Sequence, residues 1–493
     1  MSARNITHRV AKLVSVIALL FMLLLGGERT ASAHIGSPDV FFEGDAGPYP
    51  LYVTVRSPDV IPGVATIEIR ARSTDITGMT VVPLRLTGPG SELPPKPDRA
   101  DRSSTDPQFF TASLWLMEHG SLQVRIHVDG ARGDGTLAVP IPASAQRTLE
   151  MDSKLGTLLL ALMLLLALSL VSIAGAAVRE AGLDPGTPIP PPARRKSRIA
   201  IAVASVLVTG IIFGGHLWWK SDADDYRQMV MRPWKLQPHL DGCRLTIKAF
   251  ESDLLPDHGH DMHLFMVRTQ SLDRLAHLHP VRQSDRKQFA QMLPPLSAGH
   301  YKLFADIVFP SGFPYTGEGE LDIPNDLSCD LPTGDDSAWY GMPQDVTAEI
   351  VAMPTDAPPT ITAATPPEYS GVVFDRPPTI HAREPLTLHF RVVDSHGDPA
   401  TDMEPYMAMA GHAAILADDL SVFAHIHPSG SVAMPALMLA KAPHAMYAEG
   451  HALPPEVSFP YGFPKPGKYH VFVQIKRAGI VRTGVFPVDV IAK

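Results

Sequence analysis

Two His-x-His pairs stand at matched places in the second half of the sequence. They lie in Leu275-Ala276-His277-Leu278-His279-Pro280 and Phe423-Ala424-His425-Ile426-His427-Pro428. On an extended strand, residues two apart point to the same side, so each pair presents two imidazoles on one face. One further imidazole precedes each pair, His263 in the first case and His412 in the second. Three imidazoles converging from two neighbouring strands suit Cu(II) or Zn(II). The proline after each pair ends the strand and fixes its exit. The same residues also have a plainer reading, in which the rings bond turn carbonyls at a strand end.

Both pairs sit in a longer repeat. Asp253-Leu254-Leu255-Pro256 is followed by His263, and Asp402-Met403-Glu404-Pro405 is followed by His412 at the same spacing. Later, Gly299-x-Tyr301-x-x-Phe304 matches Gly467-x-Tyr469-x-x-Phe472, and Thr316-Gly317 matches Thr483-Gly484. Shared residues in a fixed order mark a duplicated unit. The copies differ in their extra donors. The first has His258, His260 and Met262; the second has Met403, Met407 and Met409, then His444, Met446 and His451. Thioether sulfur is soft and favours Cu(I), whereas imidazole accepts either copper state. The candidate metal ligands are therefore His263, His277, His279, His412, His425, His427, Met407 and Met409, with copper the expected metal and zinc the alternative. Of 21 histidines in the 493 residues, 16 lie beyond Trp219. No Cys-x-x-Cys occurs, which argues against a zinc ribbon or a thiolate copper carrier.

The elements that must position these side chains read as strands. The 48 prolines and 37 glycines argue against long soluble helices and for short strands between turns. Residues 239–330 and 366–493 form the two copies, with a Pro-, Asp- and Thr-rich linker over 331–365. Residues 34–150 form another strand-rich unit, with alternation in Leu51–Val55, Ala65–Ile69, Leu122–Ile126 and Thr136–Val139. The expected fold class is mainly β: three Ig-like or cupredoxin-like β-sandwich domains on a two-helix transmembrane hairpin. Cys243 and Cys329 frame the first copy and could pair in an oxidising compartment.

The hairpin comes from two uncharged apolar runs, Leu155–Val178 and Ile199–Trp219, each long enough to cross a bilayer. Residues 179–198 between them hold Arg179, Arg194, Arg195, Lys196 and Arg198 against Glu180 and Asp184. The positive-inside rule places that loop in the cytoplasm and both flanks outside. Lys220–Pro238 reads as a polar connector. Residues 1–33 read as a secretory signal, with a basic start, an apolar core and Ala31-Ser32-Ala33 before a cleavage point. The expected location is the cytoplasmic membrane, with the soluble domains on the periplasmic side.

Cleavage there would expose His34 as an amino terminus. A terminal amine and its imidazole, with a third nitrogen, can chelate Cu(II) in a flat site. This resembles the histidine-led start of periplasmic copper-resistance proteins and of the methane monooxygenase component that also carries two soluble domains on a two-helix hairpin. Within residues 34–150 only His119 and His127 could complete such a site. Ser37–Gly44 resembles an uncharacterised family of secreted, membrane-anchored bacterial proteins. Met407-Ala408-Met409-Ala410-Gly411-His412 and the strand pattern at Gly467–Ile475 are similar to the YtkA-like and FixH-like extracytoplasmic domains. That resemblance implies small β-sandwiches associated with copper handling and oxidase assembly.

A net charge of −9 does not suggest nucleic-acid binding. Gly133-x-Gly135-x-x-Ala138 opens onto a strand and is no dinucleotide fingerprint. No Gly-x-Ser-x-Gly, His-Glu-x-x-His or phosphate loop occurs, so no catalytic constellation stands out. The leading expectation is a membrane-anchored copper-handling or delivery protein, with the bilayer and a membrane partner such as an oxidase or metal transporter. The alternatives are a metal-free Ig-like scaffold and a copper redox enzyme using His34.

Overall fold

The computed structural model describes residues 39–149, 151–184, 186–249, 252–272, 274–330, 336–340, 371–442, 446–448 and 450–493. The leader with His34, most of the 331–365 linker and His444 lie outside the described residues. The chain is mainly β, with several largely antiparallel sheets and two long apolar helices.

The first module has two sheets. One runs in the order Val40–Ala46, Tyr49–Arg56, Gly63–Ala71, Phe109–Leu116, Asp101–Arg102. The other runs Asp98–Arg99, Ile76–Arg85, Gly120–Gly130, Gly135–Ala143. Alternation explains the packing: Ala65, Ile67 and Ile69 point inward from one sheet and meet Val124, Ile126 and Val128 from the other in one core. Full burial of each such Val or Ile contributes roughly 1.5–3 kcal/mol.

The two long helices follow, Ser153–Glu180 and Pro191–Met229. Both are long and apolar enough to cross a membrane. Asp152 caps the first by accepting from the Lys154 and Leu155 amides, each at 3.0 Å. The helices touch at Gly175, where a Cβ would come within 2.6 Å of Ile201. Ser197 also donates to the Gly175 carbonyl at 2.8 Å. A small residue at the crossing lets the two backbones approach closely. The second helix outruns its apolar stretch at both ends. Proline at the first helical position costs no hydrogen bond, so Arg194, Arg195, Lys196 and Arg198 ride on its opening turns rather than in a loop. At the far end it continues through the expected connector to Met229.

In the second module, strand His263–Arg268 lies between Leu275–Leu278 and Gly299–Val308. In the third, His412–Ala417 lies between Phe423–Ile426 and Gly467–Arg477. The registers match: His263 is opposite Asp306 and His412 is opposite Gln474. Cys243 and Cys329 form a disulfide 86 residues apart. Closing a loop of that length stabilises by roughly 4–5 kcal/mol in the chain-entropy model.

The modules are not separate beads. Phe265, Val267, Leu272, Leu275 and Phe304 of the second share a core with Ala414, Leu416, Phe423 and Phe472 of the third. Phe304 stacks on Phe423 with ring centroids 4.3 Å apart. A short helix, Met434–Ala440, carries Met434, Ala436 and Leu437 into the first module's core.

Candidate metal centre

The shared face of the second and third modules brings eight histidines into one contiguous cluster. The second module supplies His258, His260, His263, His277 and His279, and the third supplies His412, His425 and His427. Strand geometry accounts for most of it. His263 and His412 open the central strands of their sheets, and the His-x-His residues come from the adjacent strands. His258 arrives differently. Its module makes a tight turn in which Asp257 and His260 exchange backbone hydrogen bonds of 2.9 Å. At the turn His258 takes a left-handed φ of 52°. Its side chain crosses to the third module, with its Nε2 3.3 Å from His427 Nε2.

Backbone carbonyls only accept, so they set the tautomers of His263, His412 and His427. His263 directs Nε2–H at the Asp257 carbonyl (3.1 Å), and His277 directs Nδ1–H at Gln474 Oε1 (2.8 Å). His263 Nδ1 is then a bare lone pair 3.0 Å from His277 Nε2, and the Gln474 amide, which can present Oε1 or Nε2 to His277, sets what His277 offers in return. The third module repeats this. His412 directs Nε2–H at the Tyr406 carbonyl (3.3 Å), and His425 Nδ1 faces Asp306 Oδ2 at 3.5 Å. His412 Nδ1 and His425 Nε2 face each other at 3.3 Å. His427 Nδ1 faces the Val432 carbonyl at 3.3 Å, leaving its Nε2 toward His258.

Facing lone pairs repel unless a cation or an N–H proton lies between them. Two nitrogens about 2.0–2.1 Å from one ion, at right or tetrahedral angles, are themselves about 2.9–3.4 Å apart. The observed separations of 3.0 and 3.3 Å fall in that range. Metal-bound imidazoles characteristically donate their other N–H to a carbonyl or carboxylate, and Asp257, Tyr406 and Val432 offer carbonyls, Gln474 an amide and Asp306 a carboxyl in those places.

These rings stay neutral at neutral pH. Burial first, then the neighbouring imidazoles, holds His263, His412 and His425 well below the ordinary histidine range. His277 is held there by the same two causes in the same order. Burial brings His427 to about 4. Burial pushes Asp306 up to about 7, and burial with the Asp306 charge does the same to Asp257.

Two triads have ligand atoms within 4.8 Å of one another: His263, His277 and His279, and His258, His412 and His427. The first is the set expected within one module. The second takes His258 from the neighbouring module, while His425 turns to Asp306. Met407 is buried in the turn that precedes His412. Met409 instead packs in the first module's core with Val432 and Met434. Met262 and Met403 are also core residues, and Met446 is exposed. Asp306 and Gln474 escape a search for ligand types, although both stand opposite the leading histidines. His127, Asp129 and Asp134 form a third possible group, largely exposed on the first module; exposed acidic groups are ordinary surface. A cavity of about 160 Å³ reaches the cluster, with Asp257, Asp306, His425 and His427 on its wall.

Residues 368–492 match the model of a domain of unknown function, DUF8832. No curated protein matches the sequence. Among solved structures, a 1.5-MDa bacterial ice-binding adhesin is similar at 7% identity, covering 91% of this chain and 100% of that one, with a TM-score of 0.15. A tetra-tandem repeat from the extending region of a large adhesion protein is similar at 8% identity, covering 92% and 83%, with a TM-score of 0.16. Trypsin-activated alpha-2-macroglobulin from Escherichia coli is similar at 10% identity and a TM-score of 0.16, covering 91% of this chain and 26% of that one. These likenesses are too distant to bear on function.

Proposed function

We propose that this protein is a membrane-anchored, extracytoplasmic metal-binding protein that holds copper at the interface of two sibling β-sandwich modules and passes it to a membrane partner. The observation that carries the reading is the close approach of imidazole nitrogens in each triad, His263 Nδ1 to His277 Nε2 at 3.0 Å and His258 Nε2 to His427 Nε2 at 3.3 Å. His263, His277, His279, His258, His412 and His427 would hold the metal, and Gln474 would orient His277 while Asp306 draws His425 aside. Copper, when bound there, would supply a redox-capable ion in a thiol-free, buried site. Imidazole with nearby thioether favours it over zinc.

The two apolar helices support anchoring, and the arginines and lysine between and beginning them support a cytoplasmic turn. The Cys243–Cys329 disulfide fits an oxidising compartment. The modules would be of the Ig-like or cupredoxin-like kind, and the acceptor a membrane protein such as an oxidase or metal transporter. Equilibrium dialysis of the detergent-purified chain against copper and zinc tests the proposal. Copper retention that is lost in a His277→Ala, His427→Ala double variant supports it. A wild-type chain that retains neither metal is the metal-free scaffold, and the proposal fails.

A further inference from the structure

Two polar contacts across the seam between the modules are mates. His277 of the second module reaches Gln474 of the third at 2.8 Å, and His425 of the third reaches Asp306 of the second at 3.5 Å. Gln474 and Asp306 occupy the same register position, opposite His412 and His263. The turns before those histidines also correspond: Asp257–His260 and Tyr406–Met409 are closed by the same reciprocal backbone bonds. In that alignment His258 corresponds to Met407, and both take the left-handed conformation, φ 52° and 50°. A non-glycine residue seldom adopts that conformation without a reason in its surroundings.

His258 uses its conformation to reach across to His412 and His427, with ring centroids 4.9 Å from each. By that correspondence, the mate of the crossing would be Met407, directed toward His263 and His279. Two observations support it independently. The neighbouring Tyr406 ring already lies 6.4 Å from His277 of the other module, so the turn borders that triad. Met407 is buried, only 7% exposed, yet belongs to none of the four apolar cores, whereas Met262, Met266, Met403, Met409 and Met434 each belong to one.

We infer that the two metal positions differ in kind: Met407 contributes a thioether from the third module to the His263–His277–His279 triad, making it a Cu(I) site, while the His258–His412–His427 triad offers nitrogen alone. The inference rests on the copper reading above and refines it. Soft sulfur stabilises the reduced ion, and an all-imidazole set accepts Cu(II) or Zn(II). The two corresponding turns differ by His258 against Met407 and His260 against Met409, and the first of these exchanges makes the two positions unlike.

X-ray absorption on the full chain in detergent, loaded with Cu(I), tests this. The wild type should show a sulfur scatterer that disappears in Met407→Leu and persists in Met409→Leu. Leucine is near the volume of methionine, so the packing stays close to native. Met407→Leu should also weaken Cu(I) retention against a Cu(I) chelator by at least about tenfold, while Cu(II) binding is unchanged. Copper bound with nitrogen scatterers only, or a sulfur signal that survives Met407→Leu, overturns the inference and leaves the copper reading standing. A chain that binds no copper overturns both.

Discussion

Replacing Gln474 by leucine separates what the histidine cluster does for folding from what it does for metal. Gln474 accepts the His277 Nδ1–H at 2.8 Å in a fully buried setting. Removing that acceptor would ordinarily cost about 1–3 kcal/mol for the stranded donor. Here His277 can change tautomer. The proton moves to Nε2, 3.0 Å from His263 Nδ1, and two facing lone pairs become a hydrogen bond. The metal-free variant should therefore be destabilised by less than about 1 kcal/mol, because the new bond offsets the old one. Metal binding should suffer, because Nε2 now carries a proton and the ring has lost the group that oriented it. Losing such an outer partner costs about 10–100-fold in affinity. At free copper 100 times the wild-type Kd, binding adds about 2.7 kcal/mol to stability; a 30-fold weaker variant gains about 0.9 kcal/mol. Thermal unfolding with and without buffered copper reads both quantities. A copper-induced shift as large as the wild type's would refute the tautomer argument, as would a metal-free variant that loses several kcal/mol.

The metal-free protein should lose stability as pH falls from about 6.5 to 4. Five buried histidines are held below their ordinary range, so the unfolded chain takes up protons there that the fold does not. Asp257 and Asp306, raised to about 7, act in the opposite sense, but two groups do not cancel five; denaturant melts across that range check the sign. Replacing Cys243 and Cys329 by serine should remove up to about 4–5 kcal/mol, seen as a lower unfolding midpoint that matches reductant-treated wild type. Gly430→Ala should break the seat of the third module on the first. Its Cβ would fall 2.0 Å from the Phe41 carbonyl, at a φ of 126°. A loss of more than about 2 kcal/mol is expected; a native-like melt would show that this contact does not hold the modules together.

What the sequence revealed of the site was what strand periodicity determines locally. Alternation places His277 beside His279 and His425 beside His427, and the repeat aligns them with His263 and His412. It does not reveal which module's face each ring meets. Phe265, Phe304 and Phe423 form the seam between modules, and nothing in their spacing sets them apart from residues packed inside one sandwich. His258 crosses that seam through a left-handed turn that no propensity marks. Asp306 and Gln474 matter because of a cross-strand register set some forty to sixty residues from their partner histidines. Met409 reads as a ligand by type, but the Met434–Ala440 helix docks it into a core far away in sequence. The apolar helices were legible in their centres. Their ends were not, because a formed helix continues through polar residues at little cost.

Anomalous diffraction at the copper edge, from crystals of the copper-loaded full chain, tests the central claim most directly. The account predicts one density peak between His263 Nδ1 and His277 Nε2 and another beside His258 and His427. Density confined to the exposed His127, Asp129 and Asp134 group, or none within the buried cluster, would contradict it.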